Sequence, residues 1–376
     1  MKQKKIKVGV LFGGRSAEHE VSLVSAASVM KNLDPKKYEI IPIGISKTGE
    51  WISGPLVLQL LKTNSNIPDK LRAILPAEPN NKGLVLVKKS GSQEVRKKID
   101  VIIPVLHGTF GEDGTIQGLL ELAGISYVGA GVLGSAVGMD KVVQKMIFQA
   151  NNIPTPAFTY ITAHLWAKNG PKTVLECEKR LKLPLFVKPA NLGSSVGISK
   201  AHTHQELVRA IKLAFKYDRR VIVEKSIEKP LEIECSVLGN DNPKASKLGQ
   251  IISSNEFYDY NAKYVDGQSK AIIPAPLPKK VVSQIQNMAV AAFKALDLAG
   301  MARVDFLVES KAHKIYLNEV NTIPGFTSIS MFPKLWEASG LPYSKLLDEL
   351  IKLALERAKQ KNNINTFYKP KTKWYR

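Results

Sequence analysis

Cysteine is nearly absent from this chain, with only Cys177 and Cys235 among 376 residues. One possible pair makes no disulfide framework, so the sequence points to a reducing compartment, the cytoplasm. Long apolar runs are missing too. No stretch is long enough to span a bilayer, and the apolar run 8–12 is too short for a secretory signal before Gly13, Gly14 and Arg15 end it. A Walker A pattern, G-x-x-x-x-G-K-[ST], is lacking, so any nucleotide must be held another way. Acidic residues are scarce beside basic ones, 33 against 54, which leaves a formal charge of +21. That balance suits a polyanionic partner such as nucleic acid. The lysines are spread along the whole chain, however, and no zinc-finger, RNP or helix-turn-helix signature accompanies them. A basic surface that attracts small anionic substrates is the simpler expectation, with neither nucleic acid nor membrane as partner.

What is present is ordinary globular material, with 44% hydrophobic and 23% charged residues. At roughly 150 residues per domain, two or three domains are expected. Pattern and punctuation predict strands over 5–12, 38–45, 83–87 and 101–106, with a helix over 18–33 that Ser16 could cap. This alternation predicts an open, mostly parallel α/β sheet over 1–128, with ligands at the strand ends near loops 13–20 and 107–114. A central unit, 129–228, is expected to hold a helix over 140–150, strands over 185–188 and 221–225, and a glycine- and serine-rich loop over 191–198. A third unit, 229–376, shows clean alternation over 232–237, 302–308 and 315–321, the last two reading as a hairpin. The tail, 357–376, is basic with interleaved aromatics and reads as a terminus or a helix end that packs them.

Gly129 to Gly134 reads GAGVLG and matches the dinucleotide fingerprint. The next extended segment, 157–162, lacks the acidic residue that would hold a ribose, so a tight inter-domain turn is the better reading and a nicotinamide oxidoreductase the weaker one.

The chemistry gathers elsewhere. Alternation places Asp305, Glu319 and Asn321 on one face of the hairpin. Two carboxylates and an amide oxygen make a hard-oxygen site suited to Mg²⁺; the bland alternative is a solvated sheet face. Arg303 points the same way and could hold an oxyanion, or simply pair with Asp305. Lys188 ends an apolar strand and can reach a phosphate as a compact charge. The loop Gly193-Ser194-Ser195-Val196-Gly197 can offer backbone N–H groups and hydroxyls to phosphate, or be only a turn. Glu224 and Lys225 at a strand end, with Glu232 opening the next unit, suit an adenine and its ribose. Glu18 could bind an ammonium group, and His107-Gly108 with Gly111-Glu112-Asp113-Gly114 forms a polar loop after a buried strand; turn or capping chemistry would explain both loops equally.

Together these strings resemble the D-alanine–D-alanine ligases of the ATP-grasp superfamily, over nearly the whole chain, about residues 7 to 355. The matching pieces also include Met139-Asp140-Lys141, Phe257-Tyr258-Asp259-Tyr260 with Lys263-Tyr264, Arg303-Val304-Asp305, Asn318-Glu319-Val320-Asn321, and Pro324-Gly325-Phe326-Thr327. The resemblance implies a mixed α/β, three-domain ATP-grasp architecture with an N-terminal open parallel α/β domain that binds the first D-alanine. It implies ATP held by Lys141, Lys188, Ser195, Phe257, Lys263 and Asn318, with Glu224, Lys225 and Ile227 at the adenine and Glu232 at the ribose. It further implies two Mg²⁺ on Asp305, Glu319 and Asn321, with Mn²⁺ as a candidate substitute and K⁺ as a candidate activator. Glu18 would hold the ammonium of the first D-alanine, with His107 on the same side, and Ser330 and Met331 would meet the second. Arg303 and the N–H of Gly325 would stabilise the oxyanion. Glu18, Ser194 and Tyr264 would latch a closing loop over 257–266. Tyrosine at 264 favours an amine nucleophile, since relatives that make D-alanyl-D-lactate commonly carry histidine there. The resemblance implies a homodimer. The competing readings are a D-alanine–D-lactate or D-alanine–D-serine ligase and, from another class, a basic nucleic-acid-binding protein.

Overall fold

The computed structural model describes residues 4–68, 71–81, 83–86, 95–252, 270–368 and 370. The strand Ile6–Gly13 forms the centre of the first sheet. It pairs in parallel with Tyr38–Ile45 on one side and Val101–Val105 on the other. Ser126–Tyr127 extends the parallel run, and Trp51–Ser53 adds an antiparallel edge. The central strand reads as a continuous apolar run because both its faces are buried. Val8, Val10 and Phe12 face the helices His19–Asn32 and Tyr343–Asn362, whereas Leu11 faces a second core with Ile43 and Ile102. A chain segment from the far C-terminus thus completes the N-terminal core. A small antiparallel sheet of Ala73–Ile74, Gly83–Leu86 and Val95–Lys98 stands beside it.

Ser16 does not cap the first long helix. Glu18 occupies the cap position, while Ser16 Oγ accepts from Glu18 N at 3.1 Å and donates to the His107 carbonyl at 2.7 Å. The serine ties two loops at the sheet's C-terminal end instead of closing a helix.

The second sheet runs Ser199–Ala201, Leu185–Pro189, Arg220–Lys225, Phe158–Thr162, all antiparallel. The helices Ala163–Leu181 and His204–Ala214 cover one of its faces. The helix Lys141–Ala150 leads into this sheet, and Asp140 starts it by accepting from Val142 N and Val143 N at 3.1 and 3.0 Å. Asp140 also accepts from Asn191 and Arg220, which pins the glycine-rich loop to the same helix.

The third sheet places Pro230–Gly239 between Lys244–Ile252 and Gly300–Glu309, with Ile315–Asn321 beyond. Its apolar face, including Ile233, Cys235, Val304, Phe306 and Val320, packs on the helix Lys279–Ala295. Its polar face looks across a cleft at the second sheet. Cys177 and Cys235 lie in different cores as free thiols, and burial pushes their pKa values up to about 11 and about 12. Among the described residues, no helix is long and apolar enough to cross a membrane.

The GAGVLG turn does lie between a short strand and the helix Val132–Met139. Its two ends are tied into the fold, while Val132 and Leu133 are exposed. Arg357 donates to the carbonyls of Gly129 and Tyr127, and a Cβ on Gly134 would stand 2.6 Å from the Asp297 carbonyl oxygen.

Candidate functional site

The hairpin departs from simple alternation at one point. In Ile315–Asn321, an unbroken period of two would set Leu317 and Glu319 on the same face. Asp305 pairs with Glu319 and Phe306 with Leu317, so Asn318 is the extra residue of a β-bulge. The bulge shifts the phase, so Leu317 and Val320 are buried while Asn318 and Glu319 reach the cleft and Asn321 the smaller cavity beside it. The register then sets three carboxylates side by side, Glu234 opposite Asp305 and Asp305 opposite Glu319. Like charges directly opposite on a sheet repel. Arg303 offsets this by gripping Asp305 through two bonds of 2.8 and 2.7 Å and meeting Glu234 at 3.1 Å. Burial works against the charged guanidinium, but Asp305, Glu234 and Glu319 outweigh it and raise its pKa further. Lys141 meets Glu319 at 3.4 Å, and Asn321 donates to Asp305 at 3.0 Å.

A cavity of about 1650 Å³ lies between the second and third sheets. Its walls include Lys188, Ser195, Glu224, Lys225, Ile227, Glu232, Arg303, Asp305, Asn318 and Glu319. Lys188 Nζ lies 2.8 Å from Glu224 and 3.3 Å from Asn318 Oδ1. Lys145, which the sequence reading missed, meets the other Glu224 oxygen at 3.2 Å with 1% of its side chain exposed. Two lysines therefore share one buried carboxylate. Burial would raise the pKa of Glu224, but Lys145 and Lys188 hold it below the usual carboxylate value. The lysines diverge. Burial pulls Lys145 down against the attraction of Glu224, whereas Glu224, Glu319 and Glu232 together hold Lys188 above its ordinary value despite burial. Lys145 had a legible signal, since it follows Lys141 by four residues and joins Val142 and Phe148 on the buried side of one helix.

A second cavity, about 100 Å³, is bounded by Glu18, His107, Glu112, Ser194, Glu234, Arg303, Asn321, Gly325, Ser330 and Met331. Ser194 donates to Glu18 Oε1, and both are buried. The glycine loop bends tightly here, with Ser194 and Ser195 at φ +49° and +58°, a conformation that costs non-glycine residues about 1–3 kcal/mol each. Glu18 Oε2 fits only because its neighbours lack side chains. A Cβ on Gly108 would stand 2.7 Å from it, and one on Gly193 would overlap it. Lys141 Nζ donates to the Leu192 carbonyl at 2.8 Å, linking this loop to Glu319. Ser330 Oγ accepts from Thr327 N at 3.0 Å and stands at the start of the helix Met331–Ala338.

The sequence-derived residues that are described fall into two adjoining cavities, except Lys141, which lines neither and reaches the site through Glu319 and the Leu192 carbonyl; Arg303 lines both. Phe257, Lys263 and Tyr264 lie outside the described residues, as does the expected closing loop. Among the described residues, no group of three His, Cys, Asp or Glu side chains forms a metal-binding cluster. The donor set is two carboxylates and an amide. Two hard anionic oxygen ligands, short of a full octahedron, suit a Mg²⁺ ion that keeps positions for phosphate and water. The row of three acids beside the cleft fits that demand for cations.

The chain resembles known proteins along most of its length. Residues 7–130 match the family model for the N-terminus of D-ala D-ala ligase, and residues 147–352 match that for its C-terminus. A D-alanine–D-alanine ligase of Natranaerobius thermophilus is 51% identical over 364 residues, covering 96% of this chain and 98% of its own. One from Acetivibrio thermocellus is 50% identical over 367 residues, covering 94% and 96%. The solved D-alanine–D-alanine ligase of Coxiella burnetii superposes with a TM-score of 0.80 at 38% identity, covering 96% of this chain and 97% of that one. The VanG D-Ala:D-Ser ligase of Enterococcus faecalis gives 0.81 at 39% identity, covering 93% and 100%. With two facing sheets, a shared arginine and these matches along nearly its whole length, the chain belongs to the D-alanine–D-alanine ligase family and has its ATP-grasp fold.

Proposed function

We propose that this protein uses ATP to join two D-alanines into D-alanyl-D-alanine, releasing ADP and phosphate, in the cytoplasm, for peptidoglycan precursor synthesis. The observation that carries the reading is Arg303, which borders both a nucleotide-sized cleft and a pocket sized for small amino acids.

ATP would lie in the large cleft, with adenine by Glu224, Lys225 and Ile227 and ribose by Glu232. Lys188 and Lys141 would turn from Glu224 and Glu319 to the phosphates, helped by Ser195, Asn318 and Lys263, and Phe257 would also contact the nucleotide. Asp305, Glu319 and Asn321 would hold two Mg²⁺, which spread the charge of the phosphoryl group in transfer. Glu18 would bind the ammonium of the first D-alanine beside His107. Its carboxylate oxygen attacks the γ-phosphorus, ADP leaves, and an acyl phosphate forms. The amine of the second D-alanine then attacks the acyl carbon. Arg303 and the Gly325 N–H would hold the oxyanion until the carbon–oxygen bond to phosphate breaks and the amine loses a proton. Ser330 and Met331 would meet the second D-alanine, whose carboxylate suits the N-terminus of the helix Met331–Ala338. An acyl phosphate must be kept from water, which is the proposed task of a lid latched by Tyr264, Ser194 and Glu18. We also propose the three units 1–128, 129–228 and 229–376, and a homodimer.

Phosphate release with ATP, Mg²⁺ and either D- or L-alanine tests the reading, with product analysis in the presence of D-lactate and D-serine. Release that depends on the D isomer and yields mainly D-alanyl-D-alanine is expected. Predominance of D-alanyl-D-serine would reassign the second substrate, and no D-alanine dependence would end the proposal.

A further inference from the structure

The loop after the strand Ile315–Asn321 carries the sequence Ile323-Pro324-Gly325-Phe326, and the backbone N–H and C=O of both Ile323 and Phe326, which bracket the middle pair, are tied down. Ile323 N donates to Glu112 Oε1 at 3.0 Å. The Ile323 carbonyl faces His107 Nδ1 at 3.1 Å. Phe326 N donates to Ser25 Oγ at 3.4 Å, and the Phe326 carbonyl accepts from Tyr343 at 2.7 Å. Pro324 has no N–H to offer. Among the described residues, the Gly325 N–H has no partner, and Gly325 lines the small cavity with Glu18 and Arg303.

The three ties from the N-terminal sheet's loops and helix interlock. A carbonyl can only accept, so His107 Nδ1 must carry the proton and its Nε2 must accept. Ser25 lies 3.2 Å from Nε2, so its hydroxyl donates there and its oxygen remains to accept from Phe326 N. Glu112 spends its second oxygen on Gly108 N at 2.8 Å, which fixes it to the His107 loop. Ser25, His107 and Glu112 are buried, with 0%, 4% and 9% of their surface exposed. Burial lowers the His107 pKa, which favours the neutral ring this arrangement needs.

We propose that Ser25, His107 and Glu112 are positioning residues that clamp the backbone 323–326 and so aim the single free N–H, that of Gly325, at the reacting carbon's oxygen. The clamp joins two parts of the chain about 200 residues apart (Glu112 and Ile323 are separated by 211 positions). Its catalytic meaning rests on the ligase reading above. An N–H that stabilises a developing oxyanion works only if its direction is set beforehand. Phosphoryl transfer to the first carboxylate does not use this donor, whereas amine attack does. A loosened clamp therefore leaves the acyl phosphate forming but slows its capture.

Glu112→Gln and Ser25→Ala test this, each compared with wild type for ATP consumed per dipeptide, KM for ATP, thermal melting, and amide hydrogen exchange over 323–327. Glutamine keeps the size but offers one acceptor where two N–H groups point. Dipeptide kcat is expected to fall by about 10–100-fold, the scale of a small misplacement at a reacting centre. ATP consumed per dipeptide rises, KM for ATP stays put, and exchange at 323–327 quickens while the melting transition remains cooperative. Unchanged ATP-to-dipeptide stoichiometry in both variants overturns the catalytic role, as does an equal loss of ATP binding. Unchanged exchange in both overturns the clamp itself, and that readout holds even if wild type makes no dipeptide.

Discussion

The two cavities meet at Arg303 but are built differently. In the large one, charged side chains hold one another: Lys188 and Lys145 on Glu224, Lys141 on Glu319, Arg303 on Asp305. In the small one, side chains hold backbone: Glu112, His107, Ser25 and Tyr343 on the stretch 323–326. A charge paired with a charge can exchange its partner for a phosphate or a metal ion without moving the main chain. A backbone tie has no such exchange. The first arrangement suits a ligand that enters and leaves with its own charge, and the second suits a donor that must stand ready before the reaction.

Loss of a metal-binding acid should give the largest effect and sharpen the contrast most. Asp305→Asn or Glu319→Gln is expected to slow ADP formation by about a thousandfold or more, since metal stabilisation of a transferring phosphoryl group is worth several kcal/mol. Glu319→Gln should change the melting temperature little, because it relieves a row of like charges but also deprives Lys141 of its partner. A coupled ADP assay and a melting curve on the same sample decide both points, and a large fall in melting temperature would contradict this account.

Next in size is the pair of lysines on Glu224. Lys188→Met should raise KM for ATP on the order of tenfold to a hundredfold while leaving KM for D-alanine in place. Lys145→Met should instead cost about 1–3 kcal/mol of stability, because Glu224 Oε1 loses a wholly buried partner while Lys188 keeps the other oxygen. Urea titration and initial-rate kinetics separate the two, and identical profiles would mean that both lysines serve the same end.

Tyr264→Phe concerns the proposed lid over both cavities. ATP consumed per dipeptide is expected to rise several-fold, the acyl phosphate being lost to water. A ratio still at one would remove Tyr264 from the latch.

A subtler test is pH. Burial and the nearby Glu18 push Glu112 up from 4.5 to about 8, against its two backbone N–H bonds and the attraction of Lys141. The folded chain then keeps a proton that the unfolded chain gives up, so this group's contribution to stability falls as pH rises from about 4.5 through about 8. Glu112→Gln should flatten that decline in melting curves taken across the range. A parallel decline in the variant would assign the slope to another group.

Smallest should be Tyr343→Phe, which removes one bond to the Phe326 carbonyl and costs about 1 kcal/mol by thermal melting. No measurable change would mean that the clamp holds from the N-terminal side alone.

Much of this was legible in the sequence, for local reasons. The strand predicted over 38–45 matches Tyr38–Ile45, because a run buried against neighbours on both sides needs no partner to declare itself. The helix predicted over 140–150 matches Lys141–Ala150 within a residue, because its apolar period and the Asp140 cap act over only a few positions. The phase of Glu319 was read as simple alternation, and the bulge at Asn318 that makes it so is a property of two strands together. Ser16 looked like a cap because nothing in its neighbours reveals the His107 carbonyl that claims its hydroxyl. Glu112 stood in plain view within a glycine-bracketed loop, yet its partner Ile323 lies too far along the chain for spacing to suggest it.

By itself, the sequence determined the main strands of the first sheet and of the hairpin, the acidic and basic residues at strand ends, and the motif order that marks the family. Hydrophobic period, caps and turn residues act over a few positions, so they can be read along the chain. Only the tertiary structure decided which charges share a partner, that Arg303 lines two cavities, and that, among the described residues, the Gly325 N–H alone in the stretch 323–326 lacks a partner. Those are outcomes of which distant groups come within hydrogen-bond reach, and a directional bond is set by three-dimensional position rather than by residue type.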